Sequence, residues 1–412
     1  MRALPRRREW AGVAAAMFGV GWGANQFAPM LLAYHQHLSL SVGTDQALFG
    51  IYALGLIPAL LLGGPASDVW GRCRLVRPAV ALSAVATVVL IVGSHSTLAL
   101  YGARFLAGIA SGTVVAAGTA WVKELSEPPY DLRSSQQTGA RRAAISLSAG
   151  FGIGPVVAGL IAQWSPAPLV LAYVPHLVVI LLVLPGLWRA SETVPRQTAT
   201  SGGASLLSRL RIPQDRRGRY FGVVVPMAPW VFAAPSVAFV VLPLVAAARL
   251  SGIDIAFAGI TAGVTLGVGV AAQPLGRRLE QARGSWGAKV GLGAVTVGLA
   301  IASLATLSQS IPFLLLAASV LGVGYGLTLV AGLLEVQQIA APDELAGLTA
   351  IFYALTYVGF AVPLILAELR PVATYPVLLL VLAGIAGMAL LGVSWQSSRH
   401  PDGARTSNGQ RT

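Results

Sequence analysis

About twelve long apolar stretches dominate the chain, near residues 11–33, 46–66, 75–95, 98–122, 143–164, 168–188, 220–247, 254–276, 287–308, 312–334, 345–366 and 374–395. Each is close to or above the roughly 20 residues that a helix needs to cross the hydrocarbon of a bilayer. The runs are continuous rather than alternating, which excludes a membrane β-barrel. Only 10% of the 412 residues are charged, against about 25% in soluble domains. Such a chain cannot cover its surface with solvated groups, so its solvent is lipid. The first run follows "MRALPRRREW", which resembles the start of a signal peptide. It is too long for a signal-peptide core and holds Asn25, Gln26 and Pro29, so it reads as a retained first helix. The single cysteine, Cys73, excludes disulfides and cysteine-based metal sites within the chain.

The formal net charge of +13 invites a nucleic-acid reading. Its placement argues otherwise. Twenty-five of the 28 Lys and Arg fall on the N-terminus, the tail and every second inter-span loop. Only Arg249 and Arg370 lie in the other loops, and Arg104 lies inside a span. This bias follows the positive-inside rule and puts both termini in the cytoplasm. The basic charge is a topology signal that also suits anionic lipid heads, and no nucleic-acid partner is expected.

The chain is built twice. "GTDQALFGIYALG" at 43–55 aligns with "GIDIAFAGITAGV" at 252–264, pairing Asp45 with Asp254 and Gly50 with Gly259. "GIASG" at 108–112 matches "GVGYG" at 322–326. Internal repeats of this kind mark transporters whose site lies between the halves near the midplane. The expected division is a six-helix bundle over 1–188, a polar cytoplasmic loop over 189–219, a second bundle over 220–395 and a tail over 396–412. Within the loop, "SLLSRLRI" suits a short amphipathic piece on the membrane surface. Asp45 and Asp254 open spans 2 and 8, where the ordinary reading is a helix N-cap and the alternative is a role in proton entry.

Three segments carry a family resemblance. After span 2 stands "GGPASDVWGRCR", with Gly64, Asp68, Gly71, Arg72 and Arg74. Span 4 reads "LYGARFLAGIASG" and span 5 "GFGIGPVVAG", with Gly150, Gly154, Pro155 and Gly159. These resemble the motifs of the major facilitator superfamily, with departures at Ala66, Val69, Cys73, Ala107 and Ala158. The resemblance implies an all-α membrane fold of twelve helices in two pseudo-symmetric six-helix bundles. It implies a gating role for the loop after span 2. The span 5 pattern is similar to that of the facilitator antiporters, which export drugs or metabolites, including the bacterial multidrug efflux type. Span 11, its repeat partner, keeps Gly359 but has Phe360 where the proline would be.

Ser146, Gly150, Gly154 and Ala158 recur every four residues and make a small-residue stripe. Span 8 carries Gly259, Gly263, Gly267 and Ala271. The two stripes are expected to face each other across the boundary between the halves, with span 5 bent at Pro155, which lacks an N–H for the Phe151 carbonyl. Arg104 is the only cation inside a span, and its insertion cost calls for a wet cavity or a partner. Asn25, Gln26, Arg104, Trp230, Tyr325, Tyr353 and Tyr357 are therefore candidates for a substrate cavity. No Asp or Glu sits well inside a span, Glu335 lies at the inner end of span 10, and His35 and His37 fall in an outer loop.

The expected protein is a plasma-membrane transporter, not an enzyme. It exports small amphipathic compounds by alternating access, with protons as the counter-ion, as a monomer without cofactor or metal. The alternative is proton-coupled uptake of a small metabolite, such as an anion bound by Arg104; a membrane enzyme or sensor is a distant third.

Overall fold

A computed structural model describes residues 8–132, 138–194, 217–283, 285–340 and 345–399. Among them no strand occurs. Helix α1 runs as Glu9–Asn25 and Phe27–Leu38. The junction residue Gln26 keeps right-handed helical backbone angles, and its N–H bonds the Trp22 carbonyl. Among the described residues eleven further helices are long and apolar enough to cross a membrane. They are α2 (Val42–Trp70), α3 (Arg72–Val92), α4 (Thr97–Glu124), α5 (Thr138–Trp164), α6 (Pro168–Arg189) and α7 (Arg217–Arg249). After these come α8 (Asp254–Arg283), α9 (Trp286–Ser308), α10 (Ile311–Ile339), α11 (Gly347–Glu368) and α12 (Tyr375–Arg399). The amphipathic "SLLSRLRI" and most of the central loop and tail lie outside the described residues.

Local chemistry sets several boundaries. The Ser41 hydroxyl accepts the Thr44 N–H at 3.1 Å and caps α2, so Asp45 is not the cap expected of it. Helix α2 continues through Pro58 and Pro65 to Trp70, so the motif segment expected as a loop is helical up to Gly71. Lipid tolerates such prolines because neighbours re-satisfy the freed carbonyls. Gly71 breaks the helix with φ of 101°. A side chain there would also collide with the Glu192 carboxylate, its Cβ lying 2.6 Å from an oxygen. Both the conformation and the space call for glycine.

Alternation of direction defines two ends of the molecule. The terminal end carries the start of α1, the α2–α3 junction and the end of α12; the far end carries the α1–α2, α3–α4 and α11–α12 connections. Leu181 and Leu182 on α6, and Leu380 and Leu391 on α12, point outward and exposed, as expected where lipid is the solvent. One core, with Met17, Val80, Trp121 and Leu187, belongs to the first half of the chain. A second, with Met227, Leu292, Leu321 and Leu379, belongs to the second half. A third spans both halves. The halves meet along α5 against α8 and α2 against α11. The repeat exchanges those two pairs, so the seam has the same internal symmetry as the sequence.

Candidate functional site

A small central cavity lies between the halves. Asn25, Tyr52 and Phe151 line it from the first half; Phe232, Leu266, Tyr325, Tyr357 and Phe360 line it from the second. Its free volume is about 20 Å³, little more than one water requires. Aromatic contacts hold it shut. Phe232 stacks on Tyr357 with centroids 4.4 Å apart, and Phe49 of α2 meets Phe360 of α11 at 4.8 Å. Any solute larger than water needs these rings to separate.

The residues expected around the cavity divide. Asn25, Tyr325 and Tyr357 line it. Trp230 does not: it packs into the core of the second half. Tyr353 stands beside Phe352, outside the lining. Gln26 is fully buried and turns toward α3, donating to the Thr87 hydroxyl at 3.3 Å. Arg104 is also buried away from the cavity. It donates to the Leu48 and Ala24 carbonyls at 3.3 and 3.2 Å, and its guanidinium lies over the rings of Phe27 and Tyr52. It braces α1 and α2. One residue's turn separates these outcomes, and sequence spacing does not specify which side of a helix faces a neighbour.

The glycine–proline motif of α5 serves two interfaces rather than one. Gly150 and Gly154 face α1 within the same half; a Cβ on Gly154 would lie 2.8 Å from the Trp22 carbonyl oxygen. Gly159 faces α8, where its Cβ would lie 3.0 Å from the Gly259 Cα. Gly263 meets Val156, and Gly267 has no neighbour where a side chain would go. The two stripes therefore do not face each other in full. The every-fourth-residue stripe points at α1, and the α8 face of α5 is built from Gly152, Val156 and Gly159. Helix α5 runs unbroken through Pro155.

Pro155 has a consequence that joins the motif to the cavity. It has no N–H for the Phe151 carbonyl, and Asn25 Nδ2 donates to that oxygen at 3.4 Å. The second half repeats the device in part. Pro363 of α11 has no N–H for the Gly359 carbonyl, which instead accepts the Val362 N–H in a tightened turn, and Ser236 Oγ of α7, 3.0 Å from the Ala233 carbonyl, shares its proton with Gly359 at 3.3 Å. The proline missing at Phe360 is thus supplied three residues later. In each half a polar side chain of the first helix thus reaches the fifth helix beside its proline, but only in the first half does it serve a carbonyl that the proline left without an N–H.

At the terminal end the motif after α2 forms a charge cluster. Arg72 binds Asp68 and Glu124, each at 2.7 Å, while Arg74 is exposed. Glu192, beyond α6, accepts the N–H groups of Arg72 and Cys73 at 2.8 and 2.9 Å and so caps α3. Burial by itself would raise the Glu192 carboxyl, but the N–H groups of Arg72, Val194 and Cys73 outweigh it and hold it below its ordinary value. In the second half Glu280 caps α9 by accepting the Gly287 N–H at 2.8 Å, and Glu335 pairs with Arg219. Glu124 and Glu192 were not singled out from sequence; an acid at the end of a basic-flanked span is the signal that marks them. A second missed feature is a buried polar chain in which Thr87 joins Gln26 to His176 Nδ1, the latter at 2.8 Å.

The Major Facilitator Superfamily model matches residues 11–363. The chain belongs to the major facilitator superfamily. It is a multi-pass membrane protein and a transporter, not an enzyme. No sequence match is found among curated proteins. Among solved structures, a peptide transporter POT in complex with sulfate is similar with a TM-score of 0.78 and 15% identity, over 97% of this chain and 96% of that one. A POT family transporter in complex with 5-aminolevulinic acid gives 0.75 at 13% identity, over 96% and 98%. The nucleoside transporter NupG gives 0.72 at 12% identity, over 94% and 99%. At these identities the likeness is one of fold: the facilitator architecture is present end to end.

Proposed function

We propose that this facilitator exports small amphipathic compounds from the plasma membrane by alternating access, in exchange for protons, as a monomer. Counting α1 as one crossing gives twelve spans in two six-helix bundles, 1–188 and 220–395, with the 189–219 loop, the 396–412 tail and both termini in the cytoplasm. The clustering of Lys and Arg at the terminal end supports that orientation. The far end is then outer. The outer end is closed, by Gln36 of α1 on Asp254 of α8 and by Gln163 of α5 accepting the Ile255 and Ala256 N–H groups.

The observation that carries export is the α5 motif: Gly159 sits against Gly259 between the halves while Asn25 holds the Phe151 carbonyl at the cavity wall. A glycine contact of this kind lets two bundles rock with little leakage. The cavity's aromatic lining suits apolar solutes with a few polar groups. The Asp68–Arg72–Glu124 cluster would latch the inner end in the opposite state. Arg104, bound to carbonyls, offers no support to uptake of an anion.

Inverted membrane vesicles test this reading. With an acid interior they are expected to accumulate a hydrophobic dye, and Gly159→Val is expected to abolish the accumulation. Accumulation that ignores the pH gradient would sink proton antiport.

A further inference from the structure

At the outer end, Asp45 in the first turn of α2 is 3% exposed. Its Oδ2 lies 2.8 Å from His35 Nδ1 at the end of α1. Among the described residues its Oδ1 has no hydrogen-bond partner, and neither has Oε1 of the adjacent Gln46, also 3% exposed. Both residues border a second cavity, about 20 Å³, closed by Phe239, Val240, Pro243 and Leu244 of α7 and Ala258 of α8. A buried acceptor without a donor is costly. Two of them side by side, with a partly exposed imidazole at the mouth, make a place that wants a positive charge and can hold one no larger than a hydrated proton.

We infer that Asp45 and His35 form the binding site for the coupling proton, a claim that rests on the proton-antiport reading above. With neutral His35 donating its Nδ1–H to ionised Asp45 the pair carries one net negative charge; one added proton, taken up at His35 Nε2 or at Asp45 Oδ1, brings it to zero. Burying a charged pair is opposed far more strongly than burying a neutral one. Proton uptake from outside therefore favours the closed outer end, in which Asp45 is covered by α7. The next residue of α1 carries the signal across the seam, because Gln36 holds Asp254, the repeat counterpart of Asp45. The second half has no histidine in the matching place, where Leu244 stands.

The other ionisable groups around the pair come from three helices and the end of α1. They are Tyr101 and Arg104 of α4, the latter bonded to the Leu48 carbonyl, Asp254 of α8, Glu368 of α11 beside Gly43, and exposed His37. The α7 residues facing the cavity carry none. None of these groups binds Asp45 directly as His35 does.

Spin labels read the outer gate without a known substrate. They are placed at His95→Cys and Ser308→Cys, exposed far-end positions of the two halves, in a Cys73→Ala background in lipid nanodiscs. The open fraction is expected to rise with pH, by up to about tenfold in the open-to-closed ratio per pH unit for one linked proton. Asp45→Asn is expected to hold the gate closed and pH-insensitive. His35→Gln, which keeps the carboxylate and covers the case that Asp45→Asn fails to fold, is expected to shift the midpoint. A wild-type pH response in Asp45→Asn, or an unmoved midpoint in His35→Gln, overturns the inference. So does a gate that follows sodium at fixed pH. If dye accumulation in vesicles still follows pH in that event, proton antiport stands and the proton binds elsewhere. If neither gate nor accumulation follows pH, both readings fall.

Discussion

Single side chains in this protein are assigned by what they face, and the proline gaps show it best. Replacing Asn25 with Leu leaves the Phe151 carbonyl without a donor in a dry environment, at a cost of about 1–3 kcal/mol. Thermal unfolding in detergent should show the loss, and Asn25→Ser, too short to reach, should recover little of it. Glu192 makes a pH-dependent contribution of known sign. Its carboxyl is held low in the folded state, so the stabilisation is fully present above the unfolded value of about 4.3 and is lost as pH falls through the folded one. The difference in melting temperature between wild type and Glu192→Gln should therefore be constant near neutral pH and shrink in acid. Of the residues expected at the cavity, Asn25, Tyr325 and Tyr357 were legible from sequence. Arg104 and Gln26 were not, because a polar residue inside a span announces only that it needs a partner. Here the partners are backbone carbonyls and a threonine, supplied by helices 56 to 80 residues away in sequence.

Helices transmit these assignments through their faces. On α5 the i, i+4 spacing of Gly150 and Gly154 was readable, and so was the need for a close neighbour. Which neighbour each met was not. Two nearly opposite faces of one helix meet α1 and α8, one inside the bundle and one across the seam. That division makes a separable prediction. Gly154→Ala strains α1 against α5 within a half and should lower stability, because the Cβ meets backbone that cannot swing away. Gly159→Ala strains only the contact between halves and should chiefly slow transport, leaving the melting temperature nearer wild type. A substitution that lowers both equally would contradict the division. The α7 and α11 segments at the cavity also depart from regular α-helix, at Val237–Val241 and Val358–Ala361. Both irregular turns aim aromatic rings, Phe239 and Phe360, into the seam, and irregular turns of this kind are frequent at functional sites.

For the whole molecule, the decisive fact is that two like halves meet along two exchanged helix pairs and are closed at one end. Tyr357→Ala removes a ring stacked on Phe232 and should widen the cavity. If the cavity is the solute site, the binding of hydrophobic dyes should change in order of preference while the fold persists. Dye-dependent thermal shifts measure this: a ligand at 100 times its Kd adds about 2.7 kcal/mol. The sequence by itself determined the membrane environment, the long apolar stretches, the repeat and the family. These follow from composition and periodicity, since the transfer of a segment into lipid is a local and nearly additive property. Only the tertiary structure decided which carbonyl Arg104 braces, which face of α5 meets α8, and that His35 and Asp45 share a buried corner. Those outcomes depend on the rotation and neighbour of each helix, which are set by packing between segments far apart in the chain.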